Sequence, residues 1–339
     1  MRAVFVVAVL MLGCGEAIGQ VEDLEQTEAA AGQSLDEWSE RDVQIFPPAR
    51  FEKGGQVAWF HDSGDLSGYW HTYDALQACG AGDAPRKVHV FLPRTYERST
   101  ARYPVVYLQD GNTAFWPGGP ANDTWRVQEG LSTLWRQRAI EPVIVVAVHP
   151  LNRDREYTHA SAAPGRDCCG AEAYTNYLAD CVKRFVDTNY RTVPDAARTA
   201  VIGSSHGGLI SFYAATRRPD RFGRVGALSS SFWVGLDPLG GGSLERSALV
   251  APVLPLLRDP SRRPNRIWID WGLVRDGGFH NVWIEARATE RGRELAAALE
   301  RTGYVRGQTL FVQEDPRGAH QESSWARRFP DVMRALYPR

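Results

Sequence analysis

Residues Val201 to Gly208 read Val-Ile-Gly-Ser-Ser-His-Gly-Gly, and the chain around them changes character sharply. The apolar run Thr199 to Ile202 leads in, and Leu209 to Ala215 leads out with helix-like composition. The centre is a Gly-x-Ser-x-Gly pattern with Ser205 in the middle. A serine on a tight strand-to-helix turn holds its hydroxyl away from the sheet, in backbone geometry that only small neighbours permit. The first amides of the following helix then point at the space in front of that hydroxyl. The chain must therefore fold so that a buried strand runs directly into a helix.

The rest of the sequence extends this unit. Gln56 to Phe60 and Lys87 to Leu92 read as early, antiparallel strands, and Pro104 to Gln109 as a strand stopped by Asp110-Gly111. Trp125 to Arg138 has helical character. Pro142 to Val148 contains Val-Ile-Val-Val-Ala-Val, the continuous apolar run of a strand buried on both faces. Ala171 to Thr188 is an amphipathic helix with Tyr174, Tyr177, Leu178, Cys181 and Phe185 on one face. Strands follow at Val225 to Leu228, Arg266 to Asp270 and Thr309 to Gln313, with helices at Val282 to Thr302 and Ser324 to Leu336. Strand and helix in alternation predict an α/β fold with a mostly parallel sheet covered on both faces. No internal repeat is visible.

The N-terminal end has another purpose. Arg2 precedes an unbroken apolar run from Ala3 to Leu12, which is signal-peptide length and too short to span a bilayer. Met11-Leu12-Gly13-Cys14 resembles a bacterial lipobox, which implies a lipid anchor at Cys14; the alternative is ordinary cleavage after Gly19. Residues 1–19 are thus expected to direct export, 20–45 to form an acidic, polar tether, and 46–339 to fold as one domain. The 339 residues carry a formal net charge of -1 with basic residues spread evenly, which argues against a nucleic-acid partner. Composition leaves the oligomeric state open.

Export places the remaining cysteines, Cys79, Cys168, Cys169 and Cys181, in an oxidising compartment. A bridge between neighbours is strained, so the expected pattern ties one of Cys168 and Cys169 to Cys79 and the other to Cys181.

A serine hydroxyl needs a base, and an imidazole near neutrality suits the task. In the strand-ordered arrangement of an α/β hydrolase, the serine comes first, the acid next and the histidine last. His320 follows the last predicted strand, in a loop whose Gly318 and Ala319 permit close approach. His280 is the second candidate. For the acid, Asp276 lies in a loop flanked by Gly272, Gly277 and Gly278, and Asp270 at the preceding strand end is the alternative. The turn Asp110-Gly111-Asn112 supplies the second oxyanion donor, so the Asn112 amide is expected to face Ser205 beside the His206 amide. This chemistry requires no metal or cofactor. Trp116, Trp233, Trp271 and Trp283 lie near predicted strand ends, where they could line an aromatic pocket or simply pack the core.

From about Arg86 to the C-terminus, the chain resembles the esterase family of α/β hydrolases that includes esterase-D-like, enterochelin-esterase-like and feruloyl-esterase-like members. The resemblance is carried by Tyr107 to Asn112, by Arg155-Glu156-Tyr157-Thr158, by Tyr190-Arg191-Thr192, by Gly203 to Gly208, and by Gly318-Ala319-His320 followed by Trp325. It implies an α/β-hydrolase fold, catalytic Ser205 and His320, and an oxyanion hole at the Asn112 and His206 amides. Two positions depart from the family pattern. Arg275 stands in the usual acid slot with Asp276 one residue later, and Asn112 replaces a glutamine.

Together these features predict an exported serine esterase acting on a small-molecule carboxylic ester through a Ser-His-Asp triad and an acyl-enzyme. The alternatives are an acyltransferase of the same fold and a non-catalytic cell-surface binding protein on a hydrolase scaffold.

Overall fold

A computed structural model describes residues 47–237 and 241–339. The expected signal region, Cys14 and the tether lie outside the described residues. No described helix is long and apolar enough to cross a membrane.

The described residues form one ten-stranded sheet in the order β1-β2-β3-β4-β6-β5-β7-β8-β9-β10. The first four strands are β1 (Ala49–Lys53), β2 (Gln56–His61), β3 (Gly68–Leu76) and β4 (Arg86–Pro93). They pair antiparallel, and β4 also pairs antiparallel with β6 (Ile144–Val148). From β6 onward the sheet is parallel through β5 (Val105–Leu108), β7 (Thr199–Ser204), β8 (Arg224–Leu228), β9 (Arg266–Gly272) and β10 (Leu310–Asp315). All residues of β5, β6, β7 and β8 are buried, as continuous apolar runs in the middle of a covered sheet should be.

Each face carries its own core. One gathers Tyr107, Val146, Val201, Leu209, Phe212 and Trp271; the other gathers Val106, Val145, Ile202, Trp325, Phe329 and Leu336. Alternate residues of the same strands therefore feed opposite cores, as the two-residue repeat of a strand dictates. The sheet also has a switch point. The chain steps from β5 outward to β6 and then returns past β5 to β7, so the crevice above the ends of β5 and β7 is open.

Strands β1 and β3 were not evident from the sequence. In β3 the buried His71 interrupts the apolar alternation that marks a strand, and its ring instead packs among Phe51, Phe60 and Tyr69. The expected helix from Ala171 to Thr188 is interrupted by a π-helical turn at Leu178–Val182, between α-helices Ala171–Tyr177 and Lys183–Asn189.

The disulfides differ from expectation. Cys79, in the turn after β3, bridges to Cys181 in that π-helical turn, with Cα atoms 4.9 Å apart. Cys168 and Cys169 bridge to each other. Cys169 takes a left-handed backbone conformation, φ 76°, at this neighbour pair. The expectation failed because spacing along the chain does not reveal that the turn after β3 lies against the π-helical turn.

Candidate active site

Ser205 sits between β7 and α-helix His206–Arg217 with φ 55° and ψ -124°. This is a strained conformation for a residue with a Cβ, of the kind that persists only where its surroundings fix it. Two glycines make the turn possible by close approach. A side chain on Gly203 would collide with the Gly207 carbonyl, and one on Gly208 would collide with Ser230 Oγ. The Ser205 amide donates to Leu228 O at 3.0 Å, and its carbonyl accepts from the Ser231 amide at 3.1 Å, so both sides of the turn are pinned to the end of β8.

His320 Nε2 lies 3.0 Å from Ser205 Oγ. The loop after β10 brings it there. The Gly318 carbonyl accepts from the Val274 amide, the Ala319 amide donates to Ser324 Oγ, and the His320 amide donates to Asn281 Oδ1 at 2.8 Å. Trp325 stands edge-on to the imidazole, 5.2 Å between ring centroids. His280, the second candidate, lies behind His320 with centroids 5.9 Å apart and makes no hydrogen bond to Ser205.

The structure does not bring Asp276 to the histidine. Glu285 occupies that place, with Oε2 2.5 Å from His320 Nδ1. Asp276 is exposed, and its backbone carbonyl accepts from Asn281 Nδ2. Gly277 and Gly278 do turn the loop, with φ 75° and 97°, but they turn it along the surface. Asp270 is buried and bonded elsewhere, to Arg328, Trp268 Nε1 and the Ser229 amide.

Glu285 opens the helix Glu285–Arg301, directly after a π-helical turn at His280–Ile284. A signal for it existed in the sequence. The helix buries Glu285, Ala288, Thr289, Gly292, Leu295, Ala296 and Leu299, a stripe at three- and four-residue spacing. Glu285 is a carboxylate inside an otherwise small and apolar stripe, where charge is expensive unless it is paired.

Burial alone would push the Glu285 carboxyl up. The hydrogen bond and charge of His320, the Gly272 amide and the Ser229 hydroxyl outweigh burial and hold it below the ordinary value. An ionised Glu285 accepts from Nδ1–H, which leaves Nε2 free to accept the Ser205 hydroxyl proton.

The strand end opposite is built with equal care. Gln109 donates its amide to Ile202 O at 2.9 Å, which locks the end of β5 to β7. Asp110 then turns left-handed, φ 55°, into a short helix at Gly111–Ala114. A Cβ at Gly111 would sit 2.8 Å from the Ala147 backbone and the His149 ring, so only glycine fits. Arg153 grips both Asp110 carboxylate oxygens, at 2.8 and 2.9 Å. The Asp110 amide donates to Tyr157 Oη at 3.1 Å, and Tyr174 Oη donates to Gln109 Oε1 at 2.5 Å. Glu156 is held by Arg86 through two hydrogen bonds of 2.9 and 2.6 Å. The segment Arg153 to Thr158 thus braces the turn that carries Asn112. Asn112 and His206 each lie in the first turn of a helix, where amides lack intrahelical partners.

His206 has a second property. Burial, then the positive charge of Arg153, lowers its imidazole to about 3, so the ring stays neutral. Its Nδ1 lies 3.2 Å from Ser231 Oγ, and its ring meets Trp233 edge-on. Trp233 meets Trp283, and Trp283 stacks on the exposed Phe279, with centroids 5.4 Å apart. Of the tryptophans noted in the sequence, Trp233 and Trp283 belong to this file of rings leading away from His206. Trp271 is core, packed on Gly292, and Trp116 packs on His61 and His89.

Comparison with known proteins identifies the family and the fold. Residues 81–336 match the family described as "Putative esterase". The uncharacterized protein YbbA of Bacillus subtilis is 24% identical over 258 residues, 74% of this chain and 92% of that one. The siderophore enterobactin esterase of Emericella nidulans is 27% identical over 181 residues, 47% of this chain and 57% of its own length. An endo-1,4-beta-xylanase/feruloyl esterase of Xylanibacter ruminicola is 31% identical over 154 residues, 43% of this chain and 20% of that protein. The crystal structure of an IroE-like serine hydrolase from Shewanella oneidensis aligns with a TM-score of 0.59 at 18% identity, covering 79% of this chain and 80% of that one. The structural likeness establishes an α/β-hydrolase fold.

Proposed function

The chain belongs to the esterase family and is a carboxylic ester hydrolase, and on that premise we propose that it works through a Ser205–His320–Glu285 triad and an acyl-enzyme. The carrying observation is the unbroken hydrogen-bond path from Ser205 Oγ through His320 to Glu285, at 3.0 and 2.5 Å.

Ser205 Oγ attacks the ester carbonyl carbon as its proton passes to His320 Nε2. Glu285 keeps the imidazole in the required tautomer and stabilises its charged form. The amides of His206 and Asn112 receive the developing oxyanion. His320 then gives its proton to the departing alcohol. Water attacks the acyl-enzyme, His320 takes a proton from it, and that proton returns to Ser205 as the carboxylic acid leaves.

The substrate is a small-molecule ester. We place the enzyme outside the cytoplasm, carried there by the signal segment before Cys14 and tethered by a lipid on that cysteine. Two disulfides support the location, because such bonds persist in oxidising compartments.

The test is hydrolysis of p-nitrophenyl acetate by the purified protein. The proposal expects Ser205→Ala to abolish turnover; equal rates in variant and wild type would refute it.

A further inference from the structure

Behind Glu285 lies a second group of charges that the triad does not use. Arg328 is 2% exposed and Asp270 1%, and both belong to one buried network. The Arg328 guanidinium donates from one nitrogen to Ser229 Oγ at 2.8 Å and stands 3.1 Å from Asp270 Oδ1. Ser229 Oγ in turn donates to Glu285 Oε1 at 2.8 Å. The Gly272 amide donates to the same oxygen. The path therefore runs Asp270, Arg328, Ser229, Glu285, His320, Ser205.

Ser229 is the unusual member. It has φ 40°, a left-handed conformation in which a glycine would be unstrained. A serine held there at 0% exposure costs conformational energy, and what its side chain offers in return is a buried hydroxyl that hydrogen-bonds on both sides. That hydroxyl is the link between a buried cation and the carboxylate that orients His320. Arg328 also lies directly beneath the loop bearing His320, since a Cβ at Gly318 would press on its guanidinium at 2.6 Å.

We propose that Ser229, backed by the Arg328–Asp270 ion pair, is a positioning residue that fixes the rotamer of Glu285 and so aligns His320 with Ser205. Oε2 of Glu285 faces the histidine, while Oε1 is fixed by Ser229 and the Gly272 amide. Asp270 balances the Arg328 charge, and its own carboxyl is pushed up by burial to about 6, opposed by Arg328 and the Trp268 indole.

The inference rests on Glu285 being the triad acid, and the test separates the two. Ser229→Gly removes the hydroxyl, and the relieved left-handed strain offsets part of the cost of the buried hydrogen bonds lost at Glu285 and Arg328. Positioning predicts that kcat falls about 10- to 100-fold with KM held, a split that loss of folded protein alone would not produce. It also predicts that adding Ser229→Gly to Glu285→Gln lowers kcat no further, because the hydroxyl acts through that carboxylate. A Ser229→Gly kcat within twofold of wild type would overturn the inference, as would full additivity in the double variant. If Glu285→Gln alone keeps wild-type kcat, the triad assignment fails instead.

Discussion

Glu285 Oε2 and His320 Nδ1 are 2.5 Å apart, although the residues are 35 positions apart in sequence and belong to different elements. The carboxylate comes from the start of a helix, and the imidazole comes from a loop after the last strand. The two meet because β9 and β10 are parallel neighbours whose ends deliver both segments to the same edge of the crevice.

This pairing makes a differential prediction. Glu285→Gln should lower kcat by about 10⁴-fold, since a neutral amide at this place favours the wrong imidazole tautomer. Asp276→Asn should leave kcat within about twofold, because Asp276 is exposed and offers His320 no side-chain contact. Steady-state kinetics on one ester checks both; a large loss in Asp276→Asn would reverse the assignment.

Much of this site was readable in the sequence, and the failure has a physical cause. Ser205, His320 and the Asp110-Gly111-Asn112 turn each follow a strand of the parallel part of the sheet, which places such positions together regardless of the intervening chain. The acid does not follow that rule. It lies 13 residues beyond the end of β9, past a surface loop and a π-helical turn, at a distance set by Gly272 donating to it from the strand end. Strand-end reasoning stopped at Asp270 and Asp276. Helix periodicity would have marked Glu285, because it occupies the buried stripe of its helix. The disulfides failed for a related reason: contacts between a turn and a distant helix leave no local trace.

The oxyanion turn yields a second prediction. Gly111→Ala would place a Cβ 2.8 Å from the Ala147 backbone and the His149 ring. The turn must shift, carrying the Asn112 amide away from Ser205. We expect kcat to fall about 10²- to 10³-fold, the loss seen when one oxyanion donor is removed, with stability reduced by about 1–3 kcal/mol. Parallel kinetics and urea unfolding measure both quantities, and an unaltered kcat would show that this turn plays no part.

The bridge between Cys79 and Cys181 closes a sequence separation of 102. Replacing both cysteines by serine should lower unfolding free energy by about 2–5 kcal/mol, chiefly by freeing the unfolded chain. Chemical denaturation tests this under non-reducing conditions. An equal midpoint in wild type and variant would mean that the bridge does not constrain the unfolded state.

Acid should destabilise the fold before it reaches the range in which ordinary carboxylates are protonated. Burial, then the charge of Lys53, pushes His71 well below its ordinary value. Burial, then His149 and Lys87, lowers His89 to about 3. Both are buried and stay neutral when folded, so their contribution is fully present above about pH 6.5 and is lost as pH falls toward their folded values. At pH 5 His89 costs about 2 kcal/mol, from the gap of about 1.5 units to the unfolded histidine, and His71 adds a loss of the same sign. Asp270, raised to about 6, works the other way and offsets about 1 kcal/mol over the same interval. Unfolding free energy should therefore drop by about 1 kcal/mol or more between pH 7 and pH 5, and His89→Gln should flatten that slope. A pH-independent value across this range would contradict the neutral buried state of these histidines.

The account stands most directly on the reactivity of one hydroxyl. Intact-mass spectrometry can follow labelling by a fluorophosphonate, which needs no knowledge of the natural ester. Wild type should gain one label, mapped to the Ser205 peptide, and Asp276→Asn should label at the same rate. Ser205→Ala should remain unlabelled, and Glu285→Gln should label at least about 10²-fold more slowly. Labelling that persists in Ser205→Ala, or that is equally fast in Glu285→Gln, would contradict the Ser205–His320–Glu285 assignment.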